Sequence, residues 1–308
     1  MSPLETNERL RNLTKRLGDL PTALLTWLLS DTASLYNVLG SQPGVGNYLN
    51  LGWWDDLKTD TDDINEDTIT EACRELVRHF AEFGGINADD RILDVGFGFG
   101  QQDILLAKEY DCRTITGINI TPKHVRVGRQ LVEQNNFTDR ISLNLGDATR
   151  LPFRADSFDT VFALETAFHF HTREDFFREA RRVLKPGGKI LLADIIDGPE
   201  RSSSTAFRSF LARGHEAYWN IPPANRVNSE EYRRCLHQNN FHDIVVEDVS
   251  DKVLDPWVRN YLPWRINQQP APLRWLGQPM LRSLLKLYQS EIFSYVFVRA
   301  RIPESTMG

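Results

Sequence analysis

The sequence predicts an α/β protein built on a doubly wound, mostly parallel sheet of seven strands. Short apolar runs of strand length alternate with amphipathic segments of helical spacing. The first apolar run, residues 92–95, leads directly into three glycines at alternate positions, Gly96, Gly98 and Gly100. A strand, a glycine turn and a helix in this order open a nucleotide-binding βαβ unit.

Size and composition limit the function classes. The chain has 308 residues with a net charge of −6, and a nucleic-acid binder would need a basic face. Cys73, Cys112 and Cys235 lie far apart, so we expect neither a disulfide framework nor a metal site. No charged leader with an apolar core and cleavage site opens the chain, and residues 20–39 are too polar to span a membrane. We therefore expect a cytoplasmic protein.

The first part of the chain is predicted to be an extension of the sheet domain. Residues 1–66 comprise leucine-rich helices and a segment with two adjacent tryptophans, Trp53 and Trp54. The main domain then spans 67–308 and begins with an amphipathic helix at 67–83, which ends at two glycines.

The remaining elements follow in alternation. After the glycine turn we predict helices at 101–110, 173–184 and 230–238, and a helix that begins at Thr121-Pro122. Further strands are predicted at 113–118, 141–145, 160–164, 190–196, 241–249 and 292–299. Segments 198–229 and 251–290 interrupt the pattern and are predicted to be insertions that form a cap or lid.

The glycine turn resembles the first motif of class I S-adenosylmethionine-dependent methyltransferases. That motif is D-x-G-x-G-x-G, and Asp94, Gly96, Gly98 and Gly100 match it, whereas a dinucleotide-binding dehydrogenase would need G-x-G-x-x-G. The runs "LGWWD", "GINITP", "GDA", "FDTVFALE" and "LKPGG" are similar to segments of the small-molecule branch. The resemblance implies a Rossmann-like methyltransferase fold, S-adenosylmethionine as cofactor and S-adenosylhomocysteine as product. The cofactor-binding residues it implies are Trp53, Asp94, Gly96, Gly98, Gly100, Gln102, Asn119, Ile120, Asp147, Ala148, Leu164 and Glu165.

Two residues after the fourth strand are candidates for the chemistry. His169 can serve as the base for methylation of a hydroxyl, because its ordinary pKa suits neutral pH. Relatives that methylate sugar or natural-product hydroxyls carry "LHH" there and an Asp in the fifth strand; His169 and Asp194 match, while Phe168 replaces the first histidine. Asp194 can either orient His169 or be a buried structural carboxylate.

Glu165 supports an alternative reaction. In C-methyltransferases of isoprenoid, sterol and quinone substrates, which the chain also resembles, a carboxylate such as Glu165 would stabilise a cationic intermediate and remove a proton. A non-catalytic binding protein on the same scaffold is the third hypothesis. The tryptophan-rich insertion 251–290 favours a small hydrophobic substrate and is compatible with peripheral membrane contact.

Overall fold

A computed structural model describes residues 48–55, 64–206, 219–268 and 291–304, together with single positions between 209 and 216 and at 286 and 288. The predicted helices of residues 1–47 and much of the 251–290 insertion lie outside these residues. No helix within the described ranges has the length and apolar character needed to cross a membrane.

The predicted seven-stranded sheet is confirmed. Its strand order is β3-β2-β1-β4-β5-β7-β6, and β7 alone runs in the direction opposite to the other six strands. The strands are β1 Arg91–Val95, β2 Thr114–Asn119, β3 Ile141–Leu145, β4 Phe158–Leu164, β5 Leu184–Asp197, β6 His242–Asp248 and β7 Phe293–Arg301. The order reverses between β1 and β4, which is the point at which open α/β sheets bind their ligands.

Five helices of eight or more residues are described: α1 Glu66–Gly84, α2 Gln101–Glu109, α3 Pro122–Gln134, α4 Arg173–Val183 and α5 Ser229–Gln238. Their ends follow local chemistry. The Asn65 side chain accepts the backbone N–H groups of Asp67 and Thr68 at the start of α1, and Gly85 ends that helix with φ 58°. A capping box of Asn228 and Glu231 starts α5.

The core has one layer on each face of the sheet. Alternate side chains of β1 point to opposite faces, so Ile92 joins the layer with α1, α2 and α3, whereas Leu93 joins the layer with α4 and α5. Both side chains are fully buried. This two-sided burial explains why the parallel strands appear in the sequence as continuous apolar runs.

The fifth strand differs from its predicted bounds of 190–196. It already begins at Leu184, which pairs with Phe158, and the register shifts before Lys189 pairs with Thr160. The "LKPGG" segment is therefore an irregularity within the strand rather than a turn before it, and Gly187 supplies the positive φ of 76° that this requires.

Candidate active site

A cavity of about 420 Å³ opens at the carboxyl ends of β1, β2, β3 and β4. Residues from all four strand ends line it, and residues 48–50, Asn220 and Pro222 close its other sides. The strand-end residues predicted from the sequence therefore converge on one space. Those that line it are Gly96, Gly98, Gln102, Asn119, Ile120, Asp147, Ala148, Leu164, Glu165 and His169.

The glycine turn forms part of the cavity wall. Gly96 has φ +89°, and a Cβ built on it would lie 2.2 Å from Thr166 Oγ1. Gly98 has φ +56° and borders the cavity near Leu49. Gly100, by contrast, lies under the turn at the start of α2, where a Cβ would meet Leu143. Backbone therefore forms the surface that a ligand would meet at the turn.

Asp94 lies behind this wall rather than in it. Its carboxylate is fully buried and accepts a hydrogen bond from Gln102 Nε2 at 2.5 Å, and Gln102 itself lines the cavity. The Asp94 carboxyl group also lies close to the buried carboxyl group of Asp103. Burial raises the pKa of Asp94 to about 7, and burial together with the Asp94 charge raises that of Asp103. The region favours a cationic ligand group.

Asn119 and Asp147, two of the predicted cofactor-binding residues, lie at the ends of the next two strands. Asn119 Oδ1 accepts the Thr121 backbone N–H at 2.9 Å, which leaves its amide nitrogen 3.5 Å from His124 Nδ1. Asp147 Oδ1 accepts both the N–H and the O–H of Thr149 at 2.8 Å, in a tight turn that presents Ala148 to the cavity. Both side chains are thus held in fixed orientations before any ligand binds.

Glu165 joins three parts of the chain. It has φ 51° and follows β4, and its Oε1 accepts the Leu51 backbone N–H and the Tyr295 hydroxyl, each at 2.8 Å. Burial raises the pKa of Glu165 to about 8, although both donors act in the opposite direction. The carboxyl group thereby fastens residues 48–55, the N-terminal cover segment, to β4 and β7.

Trp53 is outside the lining of this cavity. Its ring stacks on His79 with centroids 4.1 Å apart and lies 6.0 Å from the Phe297 ring. The cover-segment residues that line the cavity are Tyr48, Leu49 and Asn50. The predicted contact of Trp53 with the cofactor stays a prediction, and its described contacts are those of a packed side chain.

His169 closes the short helical turn Ala167–His169 after β4. The residue is 8% exposed, and its imidazole packs on the Phe168 ring with centroids 4.2 Å apart. Burial lowers the pKa of His169 to about 3, and hydrogen bonds to the backbone of Asn220 and Trp219 partly oppose this. The ring is therefore neutral and fixed from one side by residues 219–220.

Asp194 has other partners than His169. Its carboxylate accepts hydrogen bonds from Arg173 Nε at 2.7 Å and from the Tyr232 hydroxyl at 2.8 Å, and it is fully buried. Of its two predicted roles, these contacts are those of a buried structural carboxylate. Sequence reasoning did not find Tyr295, Asn220 or Asn225, because they come from distant segments that carry no local motif.

Comparison with known proteins identifies the family. Residues 93–192 match the model of a methyltransferase domain. The chain is 37% identical over 219 residues, 70% of its length, to erythromycin 3''-O-methyltransferase of Saccharopolyspora erythraea, and the match covers 69% of that protein. The chain belongs to this methyltransferase family.

Further comparisons of the methyltransferase are consistent with this family. It is 31% identical to 27-O-demethylrifamycin SV methyltransferase of Amycolatopsis mediterranei over 214 residues, which cover 70% of this chain and 74% of that one. Among solved structures, the [4+2]-cyclase SpnF matches with a TM-score of 0.64 at 19% identity, covering 92% of this chain and 96% of that one. A geranyl diphosphate C-methyltransferase from Streptomyces coelicolor matches with a TM-score of 0.65 at 16% identity over 85% and 93% of the two chains. These structures share the fold.

The methyltransferase uses S-adenosylmethionine as its methyl donor, and its cavity fits that molecule. The Gly96 and Gly98 backbone gives a surface without side chains, and a cationic ligand group nearby would favour the ionised form of the buried Asp94 carboxyl, whose pKa burial raises to about 7. When bound, the cofactor supplies a methyl group on a sulfonium, which is reactive toward nucleophiles. Within the described residues, no group of three potential metal ligands is found.

Proposed function

We propose that the methyltransferase transfers its methyl group to a hydroxyl of a small, largely apolar natural product, with His169 as general base. The observation that carries this proposal is that His169 borders the cavity formed by the four strand ends, whereas Oε1 of Glu165 in the same cavity is already held by two donors. A hydroxyl must lose its proton as the methyl group arrives, and only a group free to accept a proton can assist.

At neutral pH His169 is the unprotonated group of the two, although a pKa near 3 makes it a weaker base than the ordinary histidine expected from the sequence. Burial keeps the His169 imidazole neutral, since its pKa is lowered to about 3. Glu165, with a pKa raised to about 8, is mostly protonated at pH 7 in the cofactor-free protein, and its Oε1 is already engaged by two donors. Hydrogen bonds to residues 219–220 favour the imidazolium that proton transfer would form, and they offset part of the effect of burial, which disfavours it.

The cofactor is proposed to bind along the four strand ends. Gly96, Gly98 and Gln102 would hold its amino-acid end, while Asn119 and Asp147 would bind the ribose and the adenine amine. Further contacts in this proposal come from Ile120, Ala148, Leu164 and Glu165, with Asp94 and Gly100 acting from behind the turn. Such binding would leave the end of the cavity near His169 and Phe170 for the acceptor.

The insertions are proposed to form the apolar cover of the acceptor. Trp257 lies 6.3 Å from the Trp219 ring and 5.7 Å from the Tyr261 ring, and Trp219 lies 6.3 Å from Phe168, the neighbour of His169. Aromatic side chains that pack on each other in this way favour a cap over a membrane-facing surface. The relatives named as erythromycin 3''-O-methyltransferase and 27-O-demethylrifamycin SV methyltransferase support a natural product as the acceptor. The three free cysteines support a cytoplasmic location.

The proposal is tested with isotope-labelled S-adenosylmethionine and a panel of polyketide, glycoside and isoprenoid acceptors. In the His169→Ala variant we expect kcat for O-methylation to fall by about 10²–10⁴-fold. Affinity for S-adenosylhomocysteine, measured by calorimetry, should stay unchanged. His237→Ala, on α5 away from the cavity, is the matched control. An unchanged kcat in His169→Ala would remove His169 as base, and transfer to carbon that is lost in Glu165→Gln would support the C-methylation alternative.

A further inference from the structure

Asn225 is buried beside the turn that carries His169, although 56 positions separate them in sequence. The turn Ala167–His169 makes few hydrogen bonds of its own: the His169 N–H donates to Thr166 O and the Phe170 N–H to Ala167 O. The carbonyl groups of Phe168 and Phe170, on either side of His169, need partners from elsewhere in the fold.

The Asn225 side chain supplies those partners. Its Nδ2 donates to Phe170 O at 2.8 Å and to Phe168 O at 3.1 Å. Its Oδ1 accepts the Arg173 backbone N–H at 2.9 Å. With one acceptor facing a donor and two N–H groups facing carbonyls, the opposite amide orientation would leave all three contacts repulsive. The amide therefore fits in one orientation only.

A buried charged network holds Asn225 in turn. The Arg173 guanidinium donates from Nη1 to Asn225 O, from Nε to Asp194 Oδ2 and from Nη2 to Ile195 O. Tyr232 donates its hydroxyl to the same Asp194 oxygen. Arg173, Asp194 and Asn225 are each at most 4% exposed, so these contacts are made without competition from solvent.

We propose that Asn225 is a positioning residue for His169: its amide clamps the carbonyl groups on both sides of His169, and Arg173 and Asp194 hold that amide in place. This rests on the proposed role of His169 as base. In this proposal Asp194 helps to position His169 indirectly, because it holds Arg173 and Arg173 holds Asn225, and it does not contact the imidazole itself. The same stretch, residues 219–225, thus fixes both the His169 ring and the backbone that carries it.

A clamp of this kind should affect the rate more than binding. In-line methyl transfer needs the acceptor proton within reach of the base, and a misplacement of about 1 Å can lower a rate by about 10²-fold. The cofactor positions at Gly96, Asn119 and Asp147 make no described contact with Asn225. Loss of the clamp should therefore reduce kcat and leave cofactor affinity alone.

The test compares Asn225→Leu, which keeps the size but removes the amide, with Asn225→Ser, which keeps one donor in a smaller side chain. For Asn225→Leu we expect a fall in kcat of about 10–100-fold, with a smaller fall for Asn225→Ser and an unchanged S-adenosylhomocysteine affinity by calorimetry. Should Asn225→Leu not fold, Asn225→Ser carries the test alone. Asn228→Ala is the matched control, because it removes the cap of α5 and lowers stability without touching the His169 turn.

A second measurement does not depend on activity. In wild-type protein with ¹³C-labelled histidine, the His169 signal should not titrate between pH 5 and 8, because burial lowers its pKa to about 3 with Arg173 as an additional positive charge. In the Asn225 variants the signal should split or titrate as the ring gains freedom and solvent, and in Asn228→Ala it should not.

Three results would overturn the clamp. The first is a kcat within twofold of wild type in a folded Asn225 variant, and the second is an unchanged His169 signal in that variant. The third is a double variant of Asn225 and His169 in which the two losses of kcat add fully. Residues that act through one another give a double variant no slower than His169→Ala alone. A wild-type rate in His169→Ala would instead contradict the proposed function, while the histidine signal would still decide whether Asn225 positions the ring.

Discussion

Glu165 should make the stability of the cofactor-free protein fall as pH rises. Its pKa is about 8 in the folded protein against an ordinary value of 4.5, because burial disfavours the carboxylate. The folded state therefore holds a proton that the unfolded state releases between these values. A group with a raised folded pKa stabilises fully below about pH 4.5, and that stability is lost as pH rises through about 8.

The size of the effect follows from the two pKa values. Each pH unit corresponds to about 1.4 kcal/mol, so the interval from 4.5 to about 8 corresponds to about 5 kcal/mol in the free energy of unfolding. Asp94 and Asp103, whose pKa values are also raised, add slopes of the same sign. A comparison with Glu165→Gln isolates the Glu165 part, because glutamine is neutral and keeps an oxygen for the Leu51 and Tyr295 donors.

The assay is urea unfolding of wild type and Glu165→Gln between pH 4.5 and 9 without cofactor. The two proteins should have similar stability at pH 4.5, and Glu165→Gln should be the more stable by several kcal/mol at pH 9. His237→Gln, on α5 and remote from the cavity, controls for general effects of substitution. A stability difference that stays constant across this range would refute a buried, protonated Glu165.

Three further predictions concern the cavity wall and its supports. Gly96→Ala forces a side chain toward Thr166 at φ +89°, so we expect about 2 kcal/mol of lost stability in urea unfolding and weaker S-adenosylhomocysteine binding in calorimetry. Unchanged binding would contradict the proposal that the Gly96 backbone forms part of the cofactor site. Asp194→Asn leaves the buried Arg173 charge without its partner and should lower the free energy of unfolding by about 3–5 kcal/mol in the same assay. A loss below 1 kcal/mol would contradict the structural role of this ion pair. Asp147→Ala should weaken S-adenosylhomocysteine binding by about tenfold with little change in Tm, and an unchanged affinity would exclude Asp147 from the adenine site.

Most of the fold followed from the sequence because its elements are specified locally. The apolar run of β1 is buried on both faces. Asn65 starts α1 by accepting backbone N–H groups with its side chain, and Gly85 ends it in a left-handed conformation that glycine adopts readily. The exception was β5, whose predicted start at residue 190 left out the "LKPGG" segment. There the pairing of Leu184 with Phe158 outweighs the local preference, and this long-range contact leaves no pattern in the sequence.

The candidate site was predictable only where it depends on strand ends. Parallel strands bring their carboxyl ends to one edge, so the convergence of Asn119, Asp147 and Glu165 followed from topology. The partners of these side chains did not follow. Tyr295 reaches Glu165 from 130 positions away, and Asn225 reaches the His169 turn from 55 to 57 positions away, so neither contact has a spacing that a single sequence can reveal.

The difference between locally held and remotely held side chains has a physical consequence for specificity. The groups expected to hold the cofactor are fixed by short-range contacts, such as Asn119 with Thr121 and Asp147 with Thr149. The two titratable groups are fixed by segments distant in sequence, Glu165 by the cover segment and β7 and His169 by residues 219–225. Changes in residues 219–225 would therefore alter the geometry of methyl transfer and the shape of the acceptor site while leaving the cofactor site intact. We accordingly expect exchange of residues 219–225 with those of a relative to change kcat and acceptor preference at constant S-adenosylhomocysteine affinity.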